Sequence, residues 1–371
     1  MAIKLHFYIC TLAIALLTGT SAINSQILGD QAAVTLINSG IDDLYNLQFD
    51  RAEDIYDRLE QSYPGHPVNY LFRGLITYWK NYPLHSISPD RSIYEEDLRR
   101  CIQLSEQKPY SSEYEAESLL ANICARGLLL LFYSDNDLIV NVIPLVTGSY
   151  KYLLRSFDFV YSYSDFYYFT GIYNYYREAY PRIHPGYRAL ASLFPPGDMI
   201  KGLNELKKAS ESSIFLKAES YIFLSWLYTS YENNYLQASK YSEILSNMYP
   251  ENQYFRVLHV KNLLLIKRYD DAENILNGSY PNSRNVYCDA QLMIFKGILQ
   301  EKKYKNYQTA KLMYEDGISS ISPFGSYGEE FCGYAYLGLS RISEHYGDKT
   351  GKQVYRRKGN ALIDYKKINF D

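Results

Sequence analysis

FDRAEDIYDRLEQSYPGHP, residues Phe49–Pro67, carries the reading of the fold. Ala52 and Tyr56 stand four residues apart, so on a helix they share one face. Eight residues after Tyr56 comes Pro64, which has no N–H to donate and ends the helix. Twelve residues before Ala52 stands Gly40. The order small, small, aromatic, stop describes a hairpin of two antiparallel helices. The small residues let the two backbones approach, the aromatic fills the space toward the next unit, and the proline stops the second helix.

The same order recurs along the chain. Apolar residues return at three- and four-residue spacing in segment after segment, which predicts an all-α protein. Ala238 and Ala272 lie 34 residues apart in NNYLQASKYSEIL and KRYDDAENIL. That period is the tetratricopeptide period, with a small residue near position 8, alanine near 20, an aromatic near 24 and proline near 32. Gly40, Ala52, Tyr56 and Pro64 fit it without a gap, and Trp226, Ala238 and Pro250 fit with a bulky residue at position 8. Gly297 precedes Ala310 and Tyr314 one residue late; Tyr334, Leu337 and Gly338 resemble the start of a last unit, and Gly74 and Gly171 resemble further position-8 residues. The resemblance to tetratricopeptide repeat proteins implies a right-handed solenoid of helical hairpins that stack because each leaves an apolar side uncovered.

The chain opens MAIKLHFYICTLAIALLTGTSAINSQ, with Lys4 ahead of the apolar run Phe7–Leu17 and the small residues Thr20, Ser21 and Ala22. This is the form of a secretory signal peptide, residues 1–22. The run is shorter than the about 20 apolar residues a membrane span needs. Residues 23–371 then form one repeat domain, with no integral membrane segment after cleavage and a periplasmic or cell-envelope location. With 38 Lys and Arg against 41 Asp and Glu, the chain lacks the charge of a nucleic-acid binder. The basic run Lys352–Lys358 reads as a solvated helix face. Cysteines 101, 124, 288 and 332 sit in apolar helical stretches and read as buried thiols.

Between Tyr161 and Tyr180 the chain reads YSYSDFYYFTGIYNYYREAY. Phe166, Phe169, Tyr173, Tyr176 and Tyr180 form one helical stripe, expected to be core. With Gly171 at position 8, Asp165, Tyr168, Ile172 and Tyr175 fall at the offsets where tetratricopeptide proteins face their ligand. Asp165, Tyr168 and Tyr175 are therefore the candidate partner-binding residues; tyrosine offers area and a hydroxyl to a peptide or a sugar. From GIYNYY (Gly171–Tyr176) through Pro181 and PPGDMIKGLNEL (Pro195–Leu206) to the Ala238 and Ala272 repeats, residues 165–276 resemble the tetratricopeptide repeat protein 39 and inclusion-clearance family of eukaryotes. That family's Gly-Phe-x-Gly-Asp element is present only as Gly197-Asp198. The resemblance implies a non-enzymatic scaffold with a loop inserted between helices. The insertion Tyr180–Asp198 is such a loop, with one short helix expected at Tyr187–Leu193.

No chemistry-bearing motif stands out. The six histidines are scattered, with no second ligand at helical spacing as a zinc site needs. Nucleophile elbows, Walker loops and dinucleotide fingerprints are absent. Adjacent carboxylates such as Glu95-Glu96 and Asp270-Asp271 point about 100° apart on a helix and do not converge on one bond. The expectation is a protein without catalytic residues, metal or cofactor, holding a protein or peptide in its inner groove. The other reading is a soluble glycan-binding accessory, which needs Tyr168 and Tyr175 exposed and coplanar.

Overall fold

A computed structural model describes residues 26–107, 112–278, 285–363, 368 and 370. The signal-peptide reading, residues 1–22, lies outside these. The elements are α1 (Gln31–Tyr45), α2 (Phe49–Ser62), α3 (Pro67–Lys80), α4 (Arg91–Gln107), α5 (Ser112–Asp135), α6 (Ile139–Ser156), α7 (Phe166–Ile183), α8 (Arg188–Ala191) and α9 (Met199–Ser212). They continue as α10 (Lys217–Ser230), α11 (Tyr235–Met248), α12 (Gln253–Leu265), α13 (Tyr269–Asn277), α14 (Val286–Lys302), α15 (Tyr307–Ile321), α16 (Ser326–His345) and α17 (Lys349–Ile363). The protein is all-α: no strand occurs among the described residues, and the helices pack as neighbours along the chain.

The hairpins share a turn made by the backbone. At Leu47, Asp137, Lys267 and Gly347 the chain adopts a left-handed conformation with φ between 56° and 73°. Around each, the same three hydrogen bonds recur; Asn46 N–H donates to Asp42, Leu47 to Leu44 and Gln48 to Asp43, and the set repeats at residues 136–138, 266–268 and 346–348. This 6→1 closure satisfies the last carbonyls of one helix and reverses the chain into the next. The hairpins α10–α11 and α14–α15 use a longer version, with left-handed Asn233 and Lys305. There, residues 231, 232 and 234 donate to 227, 227 and 228, and residues 303, 304 and 306 donate to 299, 299 and 300.

The longer turn corrects the register read at Trp226. Alanines 52, 238, 272 and 310 are all fully buried, as the repeat requires. Counting back thirteen residues across the longer turn leads from Ala310 to Gly297 and from Ala238 to Ser225, not to Trp226. Ser225 is small and fully buried, and its hydroxyl donates to the Ala238 carbonyl at 3.1 Å. The Trp226 ring lies outward on Tyr176 and Tyr231. At Gly40 a Cβ would stand 2.9 Å from Ile55 of α2 and 2.6 Å from Phe72 of α3, so this glycine sets the approach of three helices.

The array then curls back on itself. Tyr45, Trp79 and Tyr82 of the first helices pack with Tyr249, Tyr254 and Phe255 as one aromatic cluster, with ring centroids 5.2 to 6.0 Å apart. Two asparagines pin it. Asn252 caps α12 by accepting from Tyr254 N and Phe255 N, and its amide donates to the Tyr45 carbonyl at 2.8 Å. Asn285 caps α14 by accepting from Tyr287 N and Cys288 N, and its amide donates to the Tyr82 carbonyl at 2.7 Å. Further along, Tyr327 of α16 donates to the Leu84 carbonyl at 2.9 Å.

One local expectation is corrected. The insertion expected from Tyr180 begins later, because α7 runs on to Ile183 with Pro181 inside its last turn. The insertion holds a 3₁₀ turn, Pro185–Tyr187, and the short α8 at Arg188–Ala191, inside the expected helical stretch. The aromatic stripe of α7 is only half core. Phe166 and Phe169 are buried, but Tyr173, Tyr176 and Tyr180 are half-buried, and the fully buried face includes Gly171, Asn174 and Tyr175. The four described cysteines are free thiols; three are buried and Cys124 is half-buried. One described helix, Tyr114–Asp135 within α5, is long and apolar enough to cross a membrane, and 72% of its apolar window is buried in the protein.

Candidate interaction surfaces

The structure turns Asp165 and Tyr175 of the expected ligand-facing residues inward and leaves Tyr168 half-buried. Asp165 is 1% exposed, and its carboxylate accepts from the backbone N–H groups of Ile214, Phe215 and Leu216 at 3.0, 2.8 and 2.9 Å. It ties the start of α7 to the chain entering α10. Tyr175 is fully buried, and its hydroxyl donates to Glu232. Burial first, and then this carboxylate, push its ionisation well above the usual tyrosine range. Tyr168 packs edge-on against Phe169 and Phe223. The coplanar, solvent-facing tyrosine pair that sugar stacking needs is not formed, because one of its two rings has no exposed surface.

The offsets that select these residues around Gly171 select Val34, Ile37, Ile41 and Leu44 around Gly40, and Val68, Leu71, Leu75 and Tyr78 around Gly74. All of these are core or packed against it. At the ends of α1 and α3, Tyr45 and Trp79 are covered by Tyr249, Tyr254 and Phe255. That covering arises from contacts some 200 residues apart in sequence, which no local pattern signals.

At the closure stands Glu219 of α10. Its carboxylate accepts from the Tyr45 hydroxyl, and its second oxygen, Oε2, is buried without a hydrogen-bond partner. Burial pushes its carboxyl up to about 7, against the lowering effect of the Tyr45 hydrogen bond. A second polar group lies in the α10–α12 core. Asn262 donates to Ser225 Oγ, Ser242 Oγ and the Ala238 carbonyl at 2.9, 3.0 and 3.2 Å, and accepts from Thr229 Oγ1 at 3.1 Å. Ser242 Oγ also lies 3.0 Å from His259 Nδ1. By distance that is a serine–histidine pair, but both side chains are buried and Ser242 is held by Ser239 and Asn262, so the cluster works as core hydrogen bonding.

Among the described residues, two open surfaces stand out. A cleft of about 710 Å³ between α3 and α4 is lined by Tyr70, Arg73, Glu96, Arg99, Arg100 and Gln103 among others. Arg73 is locked there by Asp97 and by the Tyr56 hydroxyl at 3.0 Å, while Glu96, Arg99, Arg100 and Gln103 are exposed. The other is a flank of α6, where Ile139, Val140, Ile143 and Val146 are exposed. Sequence reading missed it; the signal was IVNVIPLVTGSYKYLLRS, apolar on more of its circumference than one contact with α5 can cover. Among the described residues no group of three or more His, Cys, Asp or Glu side chains is arranged to hold a metal ion. No family model matches the chain, and no curated protein matches it either.

Proposed function

We propose that this chain is an exported, non-enzymatic scaffold of the tetratricopeptide type, a right-handed solenoid of helical hairpins that mediates protein–protein interaction in the periplasm or cell envelope. The observation that carries the reading is the recurrence of one backbone turn, with its left-handed residue and three hydrogen bonds, at four hairpins. Such arrays are built from repeated local units and present long surfaces to partners. Export rests on the signal-peptide form of residues 1–22. With the apolar groove positions of α1, α3 and α7 packed on the chain's own helices, the receiving surface is the polar cleft between α3 and α4. Its exposed Arg99, Arg100 and Glu96, beside the Tyr70 ring, suit an extended protein segment carrying both charges.

The test is cross-linking of intact cells that export the full chain, followed by capture and identification of what is bound. One envelope protein recovered from wild type and lost from Arg99→Glu plus Arg100→Glu supports the reading. Recovery that is unchanged by this reversal, or no recovery above background, overturns it.

A further inference from the structure

Nine of the 21 large apolar side chains exposed among the described residues lie between residues 139 and 200. They are not scattered. Ile139, Ile143 and Val146 follow one line along α6, and Val140 beside them is 84% exposed. The same line runs on to Tyr150 and Phe157, and only there is it covered. Phe194 of the insertion packs on Tyr150 with ring centroids 4.8 Å apart, and Tyr173 of α7 packs on Phe157 at 5.7 Å. The covering loop adds a further exposed apolar group, Leu193 at 76%, and the first turn of α9 adds Ile200 at 75%. Helix α7 therefore meets only the second half of α6, and the first half continues the same apolar surface into solvent.

The charge around this surface is net positive. Helix α6 holds Lys151 and Arg155 and no acid in its 18 residues. Residues 139–208 carry eight Lys and Arg against five Asp and Glu, in a chain whose totals are 38 against 41. Two of those five acids, Asp165 and Glu205, are buried, and Asp198 is engaged in capping α9 by accepting from Lys201 N at 3.0 Å. Arg155 is held by Glu115 and Asp158, and Asp137 stands at the turn before α6. Lys151, Arg188 and Lys201 are exposed cations; Lys201 Nζ lies 3.7 Å from Glu205 of the same helix and 5.9 Å from the Phe157 ring on the apolar line itself.

A protein partner is best received in a recess that buries an anchor. Here the apolar groups instead stand out from a helix flank with lysines beside them, which is how an interfacial helix meets a membrane: apolar side chains enter the acyl boundary, and cations reach the phosphate layer. We propose that this face lies on an anionic lipid bilayer. Ile139, Ile143, Val146 and Leu193 enter the boundary while Lys151 and Lys201 meet lipid phosphates. The inference goes beyond the scaffold reading, since it states where the protein is held whatever else it binds.

The experiment is flotation of the full chain, isolated from exporting cells, with vesicles of phosphatidylglycerol and phosphatidylethanolamine or of phosphatidylcholine alone. The chain is expected to float with the anionic vesicles. Ile143→Asp plus Val146→Asp should lower the bound fraction by about tenfold or more without changing the melting temperature, because both sites are exposed. Lys151→Glu plus Lys201→Glu should remove the preference for anionic lipid. The proposal is overturned if wild type does not float, or if the aspartate pair floats equally, which would assign binding to another surface. It is also overturned if light scattering shows a dimer that the aspartate pair dissociates while lipid binding is absent. Failure of the cleft reversal to change partner capture would leave these outcomes as they are, so the two readings fail separately.

Discussion

Asn252 does two jobs for two distant parts of the chain: its oxygen caps α12, and its amide donates to the Tyr45 carbonyl at the end of α1, 207 residues away. Asn285 repeats the arrangement toward Tyr82. Both caps face the ends of first helices of hairpins, so two units of the early array are docked on two units of the late array. Aspartate keeps the capping oxygen but has no donor, so Asn252→Asp separates the two jobs. At a site 1% exposed, a carboxylate facing a carbonyl should cost about 2–4 kcal/mol, well above the cost of Asn252→Ser. Urea unfolding measures this; an Asp variant within about 0.5 kcal/mol of wild type would mean that the closure does not rest on this hydrogen bond.

The same closure should make stability depend on pH. Glu219 has its carboxyl raised to about 7, against 4.5 for the free side chain. The folded state thus holds a proton that the unfolded state releases. The contribution is fully present below pH 4.5 and is lost as pH rises through 7, by up to about 3 kcal/mol at ~1.4 kcal/mol per pKa unit. His85 and His259, both lowered by burial, act in the opposite sense, because each must take up a proton as pH falls. The informative quantity is therefore the difference between wild type and Glu219→Gln. That difference should grow in favour of the variant from pH 5 to pH 7.5; a constant offset would show that Glu219 is ionised alike in both states.

How much of this was legible in the sequence follows from the range of each contact. Ala52, Ala238, Ala272 and Ala310 are read correctly because the helix they contact lies a dozen residues away. Trp226 misleads because the longer turn at Asn233 shifts the register by one, and a left-handed asparagine leaves only a weak trace in sequence. Tyr168 and Tyr175 occupy positions that face a ligand in an open array, and the packing of the one, half-buried, on Phe223 and the burial of the other beside Glu232 are decided some fifty residues on. The destination of Tyr45 and Tyr82 depends on pairings over 200 residues, which periodicity does not encode.

Glycine substitutions should separate close-packed positions from merely helical ones. A Cβ at Gly40 would stand 2.6 Å from Phe72, which is 3% exposed and has little room to move, so Gly40→Ala should cost about 1–3 kcal/mol. At Gly127, in the middle of α5, a Cβ would meet no atom within 4 Å, and Gly127→Ala should stabilise by about 0.5–1 kcal/mol through helix propensity. Paired thermal melts read both signs. Stabilisation by both substitutions would refute the close approach of α1 to α2 and α3.

The shared turn makes its own forecast at Lys267. This residue is exposed, holds φ at 60°, and lies where the 6→1 closure needs a left-handed backbone. Glycine adopts that conformation without the Cβ penalty, so Lys267→Gly should stabilise by about 0.5–1 kcal/mol, even though glycine is unfavourable inside helices. Lys267→Val should destabilise by more, because a β-branched side chain crowds the left-handed region. A glycine variant that melts below wild type would show that the lysine side chain, and not the turn, matters there.

Asp165 tests whether the inward-turned residues are only structural. Its two oxygens take three backbone N–H donors from residues 214–216, so Asp165→Asn places an amide group where at least one donor points and should cost about 2 kcal/mol. If its role is to hold the start of α7 to α10, partner capture should fall only in proportion to the folded fraction measured by circular dichroism on the same sample. Tyr175→Phe removes only the hydroxyl that reaches Glu232, and should behave the same way at smaller cost. Capture that disappears while the folded fraction stays at the wild-type level would instead make these buried side chains part of a surface that opens to receive the partner.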